Sequence, residues 1–389
     1  MAAFDVIIIG AGAAGLMCAL TAGQRGRRVL LLDHAAEAGA KILISGGGRC
    51  NFTNEHTAPD RFLSGNPRFC TGALSRYTPA DFIGLVQKHR IAYHEKALGQ
   101  LFCDGSARAV VAMLLAECAA AGVDLRLGHQ VSALEHGLGY RVGTGQGEFT
   151  APALVLATGG LSIPKMGATG FAYDAARRFG LPLTRIRPGL VPVTYGGATL
   201  EMMRALSGVA LPVTATVGRK SFAEAMLFTH RGLSGPAILQ ASSYRDGAAP
   251  IRIDMLPGVD AAAHLLDKKR RRPRAELRTT LAEVLPARLA QALAGHVPGP
   301  AADVPDRMLR GIAQTLNHWE PAPNGDEGYA KAEVTLGGVD TRALSSKTMG
   351  ALQVPGLFVI GEAADVTGWL GGYNFQWAWA SGWCAGQAV

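Results

Sequence analysis

Val6-Ile7-Ile8-Ile9-Gly10-Ala11-Gly12-Ala13-Ala14-Gly15 decides the fold: four apolar residues run directly into a GxGxxG turn. The chain then stays apolar at helical spacing to about Arg25, and Val29-Leu30-Leu31-Leu32 reads as a second buried strand. Strand, glycine turn, helix and strand form a βαβ unit. Gly10 makes the turn, Gly12 admits a diphosphate against the backbone, and Gly15 lets helix and strand approach. Amides at the helix start, those of Ala13 and Ala14 among them, face the diphosphate charge. Asp33 closes the second strand, where a carboxylate accepts from ribose hydroxyls, and His34 beside it belongs to the same expected site. These features in this order predict a dinucleotide site.

Farther along the chain, glycine-rich ligand segments recur, whereas an NAD domain would be complete within one contiguous doubly wound sheet. The distribution points to FAD. Leu154-Val155-Leu156-Ala157 is a strand ending in Thr158-Gly159-Gly160, similar to the Ala-Thr-Gly strand end of two-domain flavoproteins. Gly361-Glu362-Ala363-Ala364-Asp365 is similar to their late segment near the flavin ribityl chain. Gly356-Leu357-Phe358-Val359-Ile360 is another buried strand, and Val334-Thr335-Leu336-Gly337-Gly338-Val339 is expected to wall the same pocket. Val131 is counted among the cofactor contacts. Gly143, Gly145 and Gly147 lie in a hairpin-like stretch that opens no helix, so the nicotinamide cofactor has no second GxGxxG of its own.

The most individual segment is Lys41-Ile42-Leu43-Ile44-Ser45-Gly46-Gly47-Gly48-Arg49-Cys50-Asn51-Phe52-Thr53-Asn54, read as a loop. Its three glycines present backbone amides to a close ligand, Arg49 adds a fixed cation, and Asn51 and Asn54 add amide donors. Gly371-Gly372-Tyr373-Asn374-Phe375-Gln376 opens the last helix, whose amide end would face the flavin pyrimidine. Catalytic candidates are Cys50, Arg49 and Tyr373. For Cys50 a packing role stands equal to catalysis, because a reactive thiol needs exposure and a depressed pKa. Trp377, Trp379 and Trp383 read as core.

Between residues 187 and 327 the pattern changes to short alternating segments with frequent Pro and Gly, which predicts a small antiparallel β-domain. Leu277, Leu281, Val284, Leu285, Leu289 and Leu293 mark helices within it, one ending and another opening at Pro286. The expected organisation is α/β: a discontinuous Rossmann-type FAD-binding domain at 1–186 and 328–389, an inserted antiparallel β-barrel-like domain at 187–258 with strands near 321–327, and a small helical insert at 259–320. In Phe228-Thr229-His230-Arg231-Gly232-Leu233-Ser234-Gly235-Pro236, Ser234 precedes Gly-Pro and is read as lying outside the strand-turn-helix setting of a nucleophile elbow, which disfavours esterase chemistry. His230 reads equally as a proton donor or as a structural histidine.

The chain has 389 residues, 48% of them hydrophobic, enough for two or three cores. Met1-Ala2-Ala3-Phe4-Asp5 enters a strand without a basic leader, so a cytoplasmic location is the expectation. The six cysteines show no CxxC and no zinc-like spacing, so neither a disulfide framework nor a metal site is expected. Of the net charge of +8, the run Lys268-Lys269-Arg270-Arg271-Arg272-Pro273-Arg274 carries +6, leaving +2 elsewhere. Such a run reads first as a solvated loop and second as a contact for a phosphate backbone.

Taken together, residues 41–54, 157–170, 228–239, 334–339 and 361–376 resemble the BaiN/YhiN-like family of bacterial NAD(P)/FAD-dependent flavoproteins over nearly the whole chain. The resemblance implies FAD contacts at Gly10, Gly12, Gly15, Asp33, Lys41, the 46–51 segment (Gly46, Gly47, Gly48, Arg49, Cys50 and Asn51), Thr158, Gly159, Gly361, Gly372, Tyr373 and Asn374. Ser45, Gly160, Glu362 and Phe375 complete the expected set. Many members carry Glu where this chain has Asp33, so the shorter carboxylate reaches fewer ribose hydroxyls. The implied activity is an NAD(P)H-driven reductase passing hydride through flavin N5 to an electron-poor carbon-carbon double bond, in uridine of ribosomal RNA or in an unsaturated ring compound. An oxygen-using amine or aminoketone oxidase and an RNA-binding assembly factor with structural FAD are the alternatives. The basic run tilts the expectation towards an RNA partner.

Overall fold

The computed structural model describes residues 4–247, 249–295, 297 and 299–389; Met1, Ala2 and Ala3 of the opening segment lie outside the described residues. The chain divides into two compact units, one made of the residues up to Arg187 together with Val334–Val389, the other of Pro188–Glu333.

The first unit is built on a five-stranded parallel sheet in the order Leu357–Val359, Ala153–Leu156, Val6–Ile9, Val29–Leu32, Asp124–Arg126. The Val6–Ile9, Val29–Leu32, Ala153–Leu156 and Leu357–Val359 strands are buried throughout, which is why their sequences are continuous Val, Ile, Leu and Phe runs rather than alternations. An edge strand thus comes from the far end of the chain, and the sheet cannot be completed without it. The Ala13–Gln24 helix packs against the terminal Tyr373–Gly386 helix through small residues. A Cβ on Gly382 would lie 2.4 Å from the Ala14 carbonyl oxygen, so the two backbones meet directly.

Two three-stranded antiparallel sheets also belong to this unit. Val131–His136, Tyr140–Thr144 and Gly147–Ala151 form a meander, which places Gly143, Gly145 and Gly147 in a hairpin. Asn51–Asn54, Gln100–Cys103 and Tyr93–Glu95 form the other. The segment 41–54 is therefore a loop only in part. Ala40–Gly48 is helical with a break at Ser45, Gly46 and Gly47, and Asn51–Asn54 is a fully buried strand. The loop reading overlooked that Asn51, Phe52, Thr53 and Asn54 could pair with a distant strand, which local composition does not report.

The second unit carries a six-stranded antiparallel sheet in the order Arg252–Asp254, Ala210–Val217, Lys220–Thr229, Gly232–Ser234, Val193–Thr194, Gly325–Asp326. Helices follow at Ala261–Arg271, Leu277–Ala282, Ala287–Ala294 and Asp306–Asn317, with Pro286 at the N-cap of the third. Ser234 needs correction. It ends the Gly232–Ser234 strand two residues before the Pro236–Tyr244 helix, so the setting is strand, turn and helix. The turn residue itself is Gly235, with φ of 91°, and the strand belongs to an antiparallel sheet.

The basic run is also not a loop. Lys268, Lys269, Arg270 and Arg271 form the last turn of the Ala261–Arg271 helix, where cations offset the partial negative charge of the helix end. Asp260 caps the other end, accepting from the Ala262 and Ala263 amides. Lys268 and Arg272 pair with Glu283, Lys269 with Asp306 at 2.8 Å, and Arg271 with Asp267 at 2.9 Å. Three carboxylates thus halve the charge of the run.

Candidate functional site

The glycine turn joins the Val6–Ile9 strand to the Ala13–Gln24 helix at the carboxyl edge of the parallel sheet, where the strand order changes direction. Its glycines do different work. A Cβ on Gly15 would lie 1.8 Å from the Gly10 carbonyl oxygen, and one on Gly10 2.5 Å from the Ala157 carbonyl oxygen. Both positions are closed by protein. A Cβ on Gly12 would meet nothing within 4 Å, so the space above the helix start is open. Facing this edge, Thr158 Oγ1 is buried without a hydrogen-bond partner. An orphaned hydroxyl is costly unless a ligand satisfies it. Open space at Gly12, orphaned Thr158 and unshielded amides of the first helical turn fit a dinucleotide.

Asp33 stands at the tip of the next strand. Its Oδ2 accepts from the Ala11 amide at 2.7 Å and its Oδ1 from the Ala35 amide at 2.8 Å, so the carboxylate also braces the glycine turn. His34 Nδ1 lies 3.5 Å from Asp33 Oδ1. The His129 amide donates to the Asp33 carbonyl and the Gly128 amide to the Ala35 carbonyl, which brings the approach to Val131 against the same strand end.

Next to the Thr158-Gly159-Gly160 strand end lies a polar knot. Lys41 Nζ is 2.7 Å from Glu362 Oε2 and 2.6 Å from Ser162 Oγ. Glu362 Oε1 accepts from the Thr335 amide at 2.7 Å and from Ser162 Oγ at 2.9 Å. Thr335 Oγ1 in turn accepts from the Leu161 and Ser162 amides. Burial pushes the Glu362 carboxyl up, but the Lys41 cation and these donors outweigh it and hold the group below its ordinary value. A Cβ on Gly160 would fall 2.5 Å from Thr335 Oγ1 and 2.8 Å from Glu362 Oε1, so glycine is required there by space.

The Ser45 break turns the chain through Gly46, Gly47 and Gly48, all at positive φ, and Cys50 follows at φ of 53°. Gly46, Gly47 and Arg49 are exposed, and the Arg49 carbonyl accepts from the Cys103 amide. The strand beyond is tied to the start of the last helix. A Cβ on Gly372 would lie 2.4 Å from the Thr53 carbonyl oxygen. Asn54 Nδ2 donates to the Gly371 carbonyl at 2.9 Å, and Thr53 Oγ1 donates to Gln376 Oε1 at 2.6 Å. Turned so that its oxygen faces the Gly372 amide at 3.2 Å, the Asn51 carboxamide donates to the Leu101 and Thr53 carbonyls. The Gly361 amide donates to Ser381 Oγ, and its carbonyl accepts from Trp377 Nε1.

The three catalytic candidates fare differently. Cys50 is fully buried, and burial pushes its thiol up to about 12, so it is a packed, protonated thiol and not the exposed thiolate that reactivity demands. Tyr373 is buried, its ring edge-on to Phe62 at 6.1 Å. Arg49 alone of the three presents its side chain at the surface. Asn374 uses both ends of its amide within its own turn, on Gly368 and Trp369, and Phe375 stacks on Trp379 at 5.6 Å. Ser162 was not singled out by sequence reasoning, and Thr335 and Gln376 only as members of longer segments. The signal for Ser162 was present in its position two residues after Gly160. Among the described residues no group of three or more His, Cys, Asp or Glu could hold a metal ion, and no helix is long and apolar enough to cross a membrane.

Comparison with known proteins bears on this arrangement. Residues 4–388 match the family described as HI0933-like protein Rossmann domain. The chain is 50% identical to a ribosomal RNA dihydrouridine synthase of Escherichia coli K12, over 100% of this chain and 98% of that protein. It is 30% identical to a 3-dehydro-bile acid delta(4,6)-reductase of Clostridium scindens, over 98% of each. A 3-ketosteroid-delta4-(5alpha)-dehydrogenase from Rhodococcus jostii shares the fold, with a TM-score of 0.50 at 14% identity, covering 99% of this chain and 97% of that one.

Proposed function

This chain belongs to the HI0933-like Rossmann-domain family, and from that premise we propose that it reduces uridine in ribosomal RNA with reducing equivalents drawn from NAD(P)H. It is an FAD-binding oxidoreductase. The observation that carries the finer reading is the 50% identity, end to end, with a protein named for making dihydrouridine in ribosomal RNA.

Bound FAD would supply a hydride to one carbon of an electron-poor carbon-carbon double bond, such as C5-C6 of uracil, and a proton from solvent or an acid at the site would complete the reduction at the other carbon. The chain's own residues supply the rest. The open space at Gly12 and the amides of the first helical turn receive the diphosphate, and Thr158 Oγ1 gains the partner it lacks. Asp33 offers its remaining lone pairs to the adenosine ribose. The amide end of the Tyr373–Gly386 helix favours negative charge on the group before it. Lys41 and Glu362 hold the Ser162 and Thr335 segments in one geometry from opposite ends of the chain. Arg270 and Arg271 of the basic run, with side chains 78% and 77% accessible, suit an RNA backbone.

The test is anaerobic and has two readings. Rapid bleaching of the holoenzyme flavin by NADPH or NADH, followed by a gain of two hydrogens in one uridine of ribosomal RNA on mass spectrometry, is expected. Bleaching only by an amine, or an unchanged uridine profile in a deletion strain, would overturn the proposal.

A further inference from the structure

The hairpin of Tyr93–Glu95 and Gln100–Cys103 is not used by the nucleotide cradle, yet it is joined to it. Phe102 pairs with Asn51, and its ring edge packs on Gly46, 2.8 Å from where a Cβ would stand. At the tip sits Leu98. The residue is 60% exposed, and its backbone has φ of 54°, a conformation that a residue with a Cβ adopts only at a steric cost. The tip is held in this state from below. Buried Asn54 donates to the Leu98 carbonyl at 3.1 Å with the same nitrogen that binds the Gly371 carbonyl, and the Gly99 amide donates to Glu95 Oε1 at 2.8 Å. An exposed leucine on a hairpin is ordinary, as Leu138 shows on the meander. Leu98 differs in that its backbone is held by a buried amide that also fixes the start of the last helix.

The flank of the hairpin has a matching chemistry. The His94 imidazole stacks on Phe102 with centroids 6.3 Å apart at 20°, and Asp104 Oδ1 holds its Nδ1 at 2.6 Å. Lys96 Nζ lies 5.3 Å from the centroid of the Phe102 ring, and exposed Arg49 borders the paired strand. The two hairpin carboxylates, Glu95 and Asp104, are both engaged within the hairpin, which leaves Lys96 as its own outward charge, while Arg49 and Glu55 stand exposed at either end of the paired strand.

We propose that this hairpin is the element that unstacks the target base of the RNA, with Leu98 as the apolar wedge, His94 as a stacking face and Lys96 as a phosphate contact. The inference rests on the reading of uridine in RNA as the substrate. Chemistry on a base requires that the base leave its stack, and an apolar side chain inserted beside it is a recurring way to do so. The imidazole provides a π-face for a displaced base, and the cations complement the RNA backbone. The rigidity of the tip matters because a wedge that folds back does no work on the stack.

The experiment uses holoenzyme and a stem-loop RNA carrying 2-aminopurine beside a loop uridine. Wild-type protein should raise the 2-aminopurine fluorescence on binding, and Leu98→Asn should abolish the rise. Asn accepts the left-handed conformation, so flavin content and melting temperature should stay at wild-type values and report that the variant is folded. Lys96→Ala should lower the slope of log affinity against log salt by about one. His94→Ala should weaken binding about tenfold. If wild type makes dihydrouridine in this RNA while Leu98→Asn gives the same fluorescence rise, or with no rise in either protein, the hairpin is not the wedge and the RNA reading stands. If wild type neither binds nor reduces any RNA, both fall.

Discussion

Lys41 Nζ lies 2.7 Å from Glu362 Oε2, a contact between residues 321 positions apart that joins the helix after the second strand to the loop before the last helix. Lys41→Met should leave the Glu362 carboxylate with only its Ser162 and Thr335 donors and destabilise the protein by about 2 kcal/mol. Because the folded carboxyl is held below its ordinary value of 4.5, its stabilising effect is present above that value and is lost as pH falls through the lower folded value. Melting temperature against pH should therefore show an acid limb that is shallower in Lys41→Met. An identical limb in both proteins would refute the assignment.

Gly12 and Gly15 separate ligand space from packing space. Gly15→Ala places a Cβ on the Gly10 carbonyl oxygen and should destabilise the protein by about 3 kcal/mol or prevent folding. Gly12→Ala meets no protein atom within 4 Å, so the apoprotein should melt within about 0.5 kcal/mol of wild type while FAD affinity drops at least about tenfold. Calorimetry of apoprotein and titration with FAD distinguish the two; equal loss of stability would show that the space at Gly12 is structural.

Thr158→Val removes a buried hydroxyl that has no partner. The apoprotein should be unchanged or more stable by about 1 kcal/mol, since an unsatisfied group is lost, and FAD should bind more weakly by about 1 kcal/mol. A destabilised apoprotein with unaltered FAD affinity would be the contrary result.

Cys50 should behave as packing. With its thiol raised to about 12, it should resist maleimide in the native holoenzyme, and Cys50→Ala should keep most of the wild-type turnover. The rate should show no thiol limb between about pH 7 and 9. A turnover loss of about a hundredfold or more in a folded Cys50→Ala protein would restore it as a catalyst.

The basic run should divide by position. Replacement of exposed Arg270 and Arg271 by Gln should lower the salt slope of RNA binding by about two with little change in melting temperature. Lys269→Ala, which loses Asp306 and the Val304 carbonyl, should instead destabilise the helical segment by about 1 kcal/mol. RNA affinity unaffected by the double replacement would remove this face from the substrate path.

Much of the nucleotide cradle is legible in the amino-acid sequence, because it is local. Gly10, Gly12, Gly15 and Asp33 lie within one βαβ unit, where hydrophobic period and glycine spacing report the turn directly. The strand at 357–359 is legible for the same reason, as a short apolar run after a glycine. Local signals fail where pairing partners are distant. Asn51–Asn54 looks like a loop because polar residues dominate it, and only its ladder with Gln100–Cys103 makes it a strand. The run 268–274 looks like solvated charge because two of the carboxylates that answer it, Glu283 and Asp306, stand 11 to 37 positions from their partners in sequence.

That the first glycine turn has the form of a dinucleotide cradle follows from the order of residues alone, since it rests on contacts between near neighbours in sequence, and the strand at 357–359 is legible from its own apolar run. Folding in three dimensions is what leaves Thr158 Oγ1 without a partner, seals Cys50 from solvent and brings Lys41 to Glu362. Burial and pairing are properties of which surfaces meet, and in this chain the surfaces that meet come from opposite ends.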